Sequence, residues 1–284
     1  MAKVNTVPDG GFARKVRPCC LTIAGSDSGG NAGVQADLRA FHAYGLHGCT
    51  VFAALTAQNP HGVSAIHQIP PDFIAAQLDA VLGVYSIAAL KTGMLADSAA
   101  IEVIADRLAG HGEIAKVVDP VMVATSGARL IADDAVETLK SKLLPLATVI
   151  TPNIPEAEAL TGMKLASRAD VREAAKRLNG EFGCAVVVKG GHAVGDLVAA
   201  EDTLFDGEDF HAAVMPWIAD PVSTHGTGCT FAAALAAELA LGRTLVAAVD
   251  GAKAHVNRAV SGAYFVGNGC GVLGFANPMP FLGA

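Results

Sequence analysis

Short apolar segments rich in β-branched residues alternate with amphipathic segments along most of this chain, and this alternation constrains the fold more than any other feature. Stretches of helical period, such as VQADLRAFHAYG and RADVREAAKRLNG, separate most of the apolar segments. Strands that alternate with helices form right-handed βαβ units, so the pattern predicts an α/β fold with a mostly parallel central sheet flanked by helices. The predicted strands are residues 20–25, 49–55, 88–93, 115–121, 147–153 and 184–191.

Two segments interrupt this alternation. Residues 63–69 predict a short extra strand, and residues 198–214 predict a β-hairpin that turns at Asp206 and Gly207. Two helices, over residues 227–241 and 244–262, are expected to close the chain.

The alternation continues to about residue 190 without a proline-rich or serine-rich linker. We therefore expect one domain over residues 18–284, preceded by a flexible tail over residues 1–17. The tail lacks the apolar stretch of a signal peptide, and the six scattered cysteines include no CxxC pair. A reduced, cytoplasmic protein without structural zinc is the expectation.

The charge of the chain bears on its partners. The formal net charge is −7, and no run of lysine or arginine occurs. This composition argues against nucleic-acid and acidic-membrane partners, and no apolar run reads as a transmembrane helix. An anionic small-molecule ligand would have to be bound by a few charged or polar groups at specific positions.

Polar and glycine-rich clusters follow nearly every predicted strand. Ligands of open α/β sheets bind beyond the carboxyl ends of the strands, so these clusters are expected to line one edge of the sheet. They are GSDSGGNAG (25–33), TAQN (56–59), KTGML (91–95), DPVM (119–122), TPNIPE (151–156) and KGGH (189–192).

The stretch HGTGCTFAAALAAELALG places a glycine-rich turn against a long alanine-rich helix. In one interpretation Thr227 caps an ordinary helix. In the other, the unpaired amides of residues 226–229 bind an anion, because a helix N-terminus carries partial positive charge. Cys229 could then act as a base, since a thiol at a helix N-terminus can have a lowered pKa.

Asp119, Glu156 and Lys189 each stand near the end of a predicted strand. A sparse carboxylate pair suits magnesium that is held partly by substrate phosphates, and a lysine could meet those phosphates. A turn for Asp119, a helix cap for Glu156 and a snorkelling Lys189 are the alternatives. The chain has no Walker motif and no GxSxG, and the GSDSGGNAG loop contains no GxGxxG, which argues against a P-loop kinase, a serine hydrolase and a dinucleotide-binding fold.

Taken as a set, the motifs resemble one known family. GSDSGGNAGVQADLRAF, ALTAQN, KTGML, DPVM, TPNIPEAEAL, VVVKGGH and THGTGCTFAAALAA look like the hydroxymethylpyrimidine and phosphomethylpyrimidine kinases of thiamine biosynthesis, in the ribokinase superfamily. The resemblance covers about residues 20–262. It implies a three-layer ribokinase-like fold with a small strand cover, a homodimer, and phosphorylation of an aminopyrimidine alcohol and then its monophosphate with ATP and Mg²⁺.

The resemblance also implies roles for individual residues. Asp37 should lie near the polar end of the substrate. Asp119 and Glu156 should arrange the metal, while Asn153, Lys189 and Thr227 should meet the nucleotide phosphates. Gly226, Thr227, Gly228 and Cys229 should form the anion hole, with Cys229 as the base. The residues expected around the pyrimidine are Gly25, Ala32, Thr56, Gln58, Met94 and Val121.

Three departures and three rival functions accompany this interpretation. Asn31 and Thr92 replace a glycine and an isoleucine usual in the family, and the C-terminal GNGCGVLGFANPMPF does not match its usual ending, so no adenine contacts are assigned. A pyridoxal kinase of vitamin B6 salvage is the nearest rival, although Gln58 and Cys229 favour the pyrimidine. A sugar kinase fits the largely apolar pocket positions less well. An inactive vitamin-binding sensor is the rival from another class.

Overall fold

The computed structural model describes residues 17–122, 133–190 and 199–275. Its centre is a nine-stranded sheet with the order β3-β2-β1-β4-β5-β6-β7-β8-β9. Strands β1, β2 and β4–β7 pair in parallel, whereas β3, β8 and β9 are antiparallel to their neighbours. The strands are β1 Cys19–Gly25, β2 His47–Asn59, β3 Gly62–Gln68, β4 Ile87–Thr92, β5 Ala115–Val118, β6 Val149–Ile150, β7 Ala185–Gly190, β8 Ala199–Phe205 and β9 Phe210–Pro216.

Helices cover both faces of this sheet, as the alternating pattern predicts. Successive residues of a strand point to opposite faces. In β1, Leu21 belongs to the core cluster that includes residues of α2, α3 and α6, whereas Cys20 belongs to the cluster that includes residues of α1, α7 and α8. The helices are α1 Gly33–Ala43, α2 Pro71–Leu82, α3 Ser98–Leu108, α4 Asp133–Thr138, α5 Ile154–Thr161, α6 Arg168–Phe182, α7 Thr227–Ala240 and α8 Leu245–Ser261. The predicted α/β fold is therefore confirmed.

The segments that interrupt the alternation extend the sheet at its two sides. Strand β1 ends at Gly25, opposite Ala54, while β2 continues to Asn59 and pairs there with β3 alone. This two-stranded ribbon forms the small strand cover. At the other side β8 and β9 form the predicted hairpin, whose turn is held by Asp206 Oδ1, which accepts the amides of Glu208 and Asp209.

A second hairpin near the C-terminus is not indicated by the sequence pattern. Strands β10 (Tyr264–Val266) and β11 (Cys270–Val272) form it. Gly271 packs directly against the carbonyl of Val222, so this hairpin covers the loop that leads to α7. No helix within the described parts of the chain is long and apolar enough to cross a membrane. Residues 1–16 of the predicted tail, His192 of KGGH and the last nine residues lie outside the described ranges.

Candidate active site

The glycine-rich loop after β1 contacts the turn that begins α7. Gly226 is the N-cap of α7 and has a φ of 89°, in the left-handed region that favours glycine. A Cβ at this position would collide with the carbonyl of Asn31. The close approach of residues 25–33 and 226–229 therefore depends on a glycine at position 226.

The first amides of α7 are available to a ligand. Thr227 does not cap the helix: its hydroxyl donates to the carbonyl of Thr224 at 2.9 Å. The interpretation of Thr227 as an ordinary cap is therefore wrong. Among the residues that the structure describes, the N–H groups of Gly228 and Cys229 have no hydrogen-bond acceptor. Two unpaired amides at the positive end of a 14-residue helix form a site for an anion.

A buried ion pair stands beside these amides. Lys189 Nζ lies 2.6 Å from Asp119 Oδ1, and a Cβ built at Gly228 would be 3.5 Å from that ammonium. Asp119 Oδ1 also accepts the hydroxyl of Thr151 at 2.9 Å. Burial lowers the pKa of Lys189, but Asp119 and Glu156 outweigh that effect and the pKa is raised. The ammonium therefore stays charged next to the free amides.

Glu156 and Asn153 form a capping box at the start of α5. The Asn153 amide donates to Glu156 Oε2 at 2.8 Å, and the Glu156 amide donates to Asn153 Oδ1 at 2.8 Å. The capping alternative for Glu156 thus describes part of its role. Burial raises the pKa of Glu156 to about 7, although Lys189 opposes this shift. Because the pKa of Glu156 lies near neutral pH, a nearby cation would stabilise its charged form.

Cys229 lies where the sequence places a base, but its pKa differs from the expectation. The side chain is half-buried at the start of α7, with the Gly33 amide donating toward its sulfur. Burial raises the pKa of the thiol, and Lys91 opposes the shift only in part. The expectation of a lowered pKa from the helix terminus is therefore wrong, because desolvation of the thiolate outweighs the favourable dipole.

Asp37 lies beneath the site rather than at its surface. Its side chain is fully buried, accepts the Thr22 hydroxyl at 2.6 Å and pairs with Lys91 Nζ at 2.9 Å. Burial lowers the pKa of Lys91, but Asp37 and Cys229 raise it by more. Lys91 lowers the pKa of the Cys229 thiol and Asp37 raises it, so the pair acts on that thiol with both signs of charge.

The residues expected around the pyrimidine fall into an apolar group and a polar group. Met94 packs with Ala54, Ala96 and the partly buried Val121, and a Cβ at Gly25 would collide with the Met94 methyl group. These contacts make Met94, Val121 and Gly25 part of one small apolar cluster.

The polar group stands on the strand cover. The Thr56 hydroxyl donates to the Ser26 carbonyl at 2.7 Å and lies 3.2 Å from Gln58 Oε1. Gln58 Nε2 lies 3.5 Å from His225 Nε2, which ties β2 to the residue before the anion turn. The polar group is therefore in contact with both the first loop and the start of α7.

Asp27 and His225 are site residues that the sequence analysis did not assign. Asp27 accepts the amides of Gly29, Asn31 and Ala32, each at 2.8 Å, and His225 Nε2 lies 3.7 Å from Oδ2, the oxygen that accepts the last two amides. Burial alone would raise the pKa of Asp27, but these groups lower it to about 2. The aspartate in GSDSGGNAG was the available signal. Its charge fixes the loop that carries Ala32 and Asn31.

Comparison with known proteins identifies relatives along nearly the whole chain. A family model described as phosphomethylpyrimidine kinase matches residues 27–274. The chain is 49% identical to a thiamine biosynthesis bifunctional protein of Geobacter sulfurreducens, over 90% of this chain and 51% of that protein, so it spans about half the length of that relative. It is 46% identical to a hydroxymethylpyrimidine/phosphomethylpyrimidine kinase of Synechococcus elongatus, over 92% of this chain and 98% of that protein.

A solved structure shares the fold. An ADP complex of Bacillus subtilis pyridoxal kinase aligns with a TM-score of 0.83 at 36% identity, covering 92% of this chain and 98% of the other.

Proposed function

Because the chain belongs to the phosphomethylpyrimidine kinase family, we propose that it phosphorylates 4-amino-5-hydroxymethyl-2-methylpyrimidine with ATP and then converts the monophosphate to the diphosphate, in thiamine biosynthesis. The observation that carries the proposal is the pair of unpaired amides at Gly228 and Cys229 beside the Lys189 ammonium. Phosphoryl transfer needs alignment and charge neutralisation at the transferred group, and this arrangement supplies both.

The proposed step uses three groups of this chain. The substrate hydroxyl loses its proton to the Cys229 sulfur as its oxygen forms a bond to the γ-phosphorus of ATP. The bond between that phosphorus and the β–γ bridging oxygen breaks, and ADP leaves. The amides of Gly228 and Cys229 stabilise the charge on the transferred group, and Lys189 neutralises the phosphates. In the second reaction the monophosphate oxygen is the attacking atom.

The acidic residues fit a magnesium ion shared with ATP. Asp119 Oδ1 is engaged by Thr151 and Lys189, whereas Oδ2 accepts no hydrogen bond from the residues that the structure describes. Within that part of the chain no cluster of three His, Cys, Asp or Glu side chains could hold a metal alone. Mg²⁺ commonly takes one or two carboxylates plus substrate phosphates, so Asp119 and Glu156 are the residues that would hold it. When bound, the ion would neutralise charge on the phosphates.

Pyrimidine recognition depends on Gln58 in this proposal. A side-chain amide can donate to a ring nitrogen and accept from an exocyclic amine at the same time. Gln58 lies on β2 with its amide oxygen 3.2 Å from the Thr56 hydroxyl, and Met94, Val121 and Gly25 would pack against the pyrimidine ring. The remaining parts of the proposal are a homodimer, a cytoplasmic location and one domain over residues 18–284 after a short tail.

Pyridoxal kinase activity is the second candidate function. The structural similarity to a pyridoxal kinase at a TM-score of 0.83 favours it, because the same fold and phosphate turn would serve both substrates. The inactive-sensor interpretation does not explain why both Lys189 and Cys229 lie beside unpaired amides.

The test is magnesium-dependent ATP consumption by the purified protein with hydroxymethylpyrimidine and with pyridoxal in parallel. We expect the larger kcat/KM with the pyrimidine. Turnover of pyridoxal alone would assign the protein to vitamin B6 salvage. The absence of ATP turnover with both alcohols would support an inactive sensor.

A further inference from the structure

A second buried ion pair lies outside the proposed phosphate site and accepts a hydrogen bond from the backbone next to Lys189. Asp202 of β8 pairs with Lys253 of α8 at 2.8 Å, and their side chains are 3% and 9% exposed. The same Asp202 oxygen accepts the Gly190 amide at 2.9 Å. The buried charges therefore act on the peptide unit that follows Lys189.

Strand register places this pair on the same face as the Lys189 side chain. Lys189 lies directly opposite Asp202 in the antiparallel β7–β8 pair. Residues directly opposite one another in such a pair point to the same face. That face is covered by α7 and α8, which carry Gly228 and Lys253.

The backbone around Lys189 is fixed from both sides. The Lys189 amide donates to the Pro152 carbonyl at 2.8 Å, and the next amide, that of Gly190, donates to the Asp202 carboxylate. Gly190 also packs so closely on the Glu201 carbonyl that no Cβ would fit there. β7 ends at this residue, so the Asp202 side chain continues the hydrogen bonding of the sheet to the last position of the strand.

Added stability alone does not explain why the Asp202–Lys253 pair is buried. Removing two charges from water costs about as much as their attraction returns, and apolar replacements of buried pairs are often tolerated. Position is a better reason, since a small displacement of a catalytic group costs rate even when the fold survives.

We propose that Asp202, held by Lys253, is a positioning residue that fixes the 189–190 peptide and so keeps the Lys189 ammonium at the transferred phosphate. The inference rests on the proposed kinase function. Asp202 contacts neither substrate in this account. Its effect passes through Lys189 alone.

Two charge-free double variants isolate the hydrogen bond to Gly190. Asp202→Asn with Lys253→Met keeps an acceptor for the Gly190 amide, whereas Asp202→Leu with Lys253→Met removes it at similar volume. We expect kcat of the leucine double variant to be lower by about tenfold than that of the asparagine double variant, with KM for the alcohol unchanged. Equal kcat values for the two double variants would overturn the proposal.

A double-mutant cycle with Lys189→Ala shows whether the effect passes through Lys189. In that background the difference between the two double variants should shrink to less than about twofold, because coupled residues are not additive. A tenfold difference that persists without Lys189 would overturn the proposal. The half-buried pair His211–Asp250 also joins α8 to the sheet. Asp250→Asn, which removes the charge of this pair, is the matched control and should leave kcat unchanged.

Two features separate this test from failure of the proposed function. The cycle is run with whichever of hydroxymethylpyrimidine and pyridoxal the wild type phosphorylates, so a wrong substrate assignment leaves the test intact. Amide hydrogen exchange of Gly190 provides a readout that needs neither turnover nor the leucine variant. We expect slow exchange in the wild type and faster exchange on Asp202→Ala with Lys253→Met. Fast exchange of Gly190 in the wild type would overturn the proposal.

Discussion

At the scale of single residues, Cys229 is the group on which the proposed chemistry depends most. It lies in the first turn of α7, carries one of the two free amides and is close to the buried Lys91–Asp37 pair. The Cys229→Ala variant should keep its nucleotide affinity, because the amides remain, while kcat falls by about 100-fold or more. Nucleotide titration calorimetry and steady-state kinetics measure the two quantities. A kcat of this variant equal to that of the wild type would show that Cys229 is not the base.

The pH dependence of kcat/KM follows from the raised pKa of that thiol. Only the thiolate accepts a proton, and burial places its pKa above the usual range, so the active form grows as pH rises. We expect kcat/KM to increase by about tenfold per pH unit on the alkaline side of neutrality. The Cys229→Ala variant should lack this limb. A wild-type profile that is flat from neutral to alkaline pH would contradict the assignment.

Gln58 should separate pyrimidine recognition from nucleotide binding. The Gln58→Ala variant loses the amide that would pair with the ring, while the phosphate turn at Gly228 is untouched. We expect KM for the pyrimidine to rise by about tenfold or more, since a lost pair leaves polar groups of the ligand unsatisfied. KM for ATP should stay within about twofold of the wild type. Equal loss of both affinities would contradict the recognition role.

At the scale of elements, the junction between the first loop and α7 depends on Gly226. The Gly226→Ala variant would combine a left-handed backbone with a collision against Asn31. Gly242, at the other end of α7, has a φ of 77° with open space around it and serves as the matched control. We expect Gly242→Ala to cost about 1 kcal/mol in the free energy of unfolding with kcat unchanged. Gly226→Ala should cost more and lower kcat.

Chemical denaturation of both glycine variants, paired with their kinetics, checks this difference. Similar stability losses with similar kcat values would mean that the close approach to Asn31 does not matter.

The elements also show which local patterns carry enough information for prediction. The two helices after residue 226 and the hairpin at Asp206 were predicted within a residue or two, since long periodic runs and turn residues act locally. The β10–β11 hairpin was missed. Its strands are three residues long and β10 is exposed, so neither shows a period, and its position depends on a distant backbone contact with Val222.

At the scale of the whole molecule, the sequence predicts which clusters share an edge of the sheet but not how their charges pair. Parallel pairing follows from the alternation of strands and helices and puts the clusters after β1, β5 and β7 at the same edge of the sheet, whereas the strand order comes from the structure. The Lys91–Asp37 and Lys253–Asp202 pairs join residues 54 and 51 positions apart. No local pattern marks such partners, because an isolated lysine in a strand or a helix looks the same in the sequence whether it is buried with a carboxylate or reaches solvent.

The central claim is that one phosphate turn performs both phosphorylations of the aminopyrimidine. The most direct measurement is a time course of products by mass spectrometry, with hydroxymethylpyrimidine, ATP and Mg²⁺, for the wild type and the Lys189→Ala variant. The account predicts that the wild type forms the monophosphate first and then the diphosphate, and that both rates fall together in the variant, because Lys189 neutralises the phosphates in both steps. A wild type that stops at the monophosphate, or a variant that loses only one of the two steps, would contradict it.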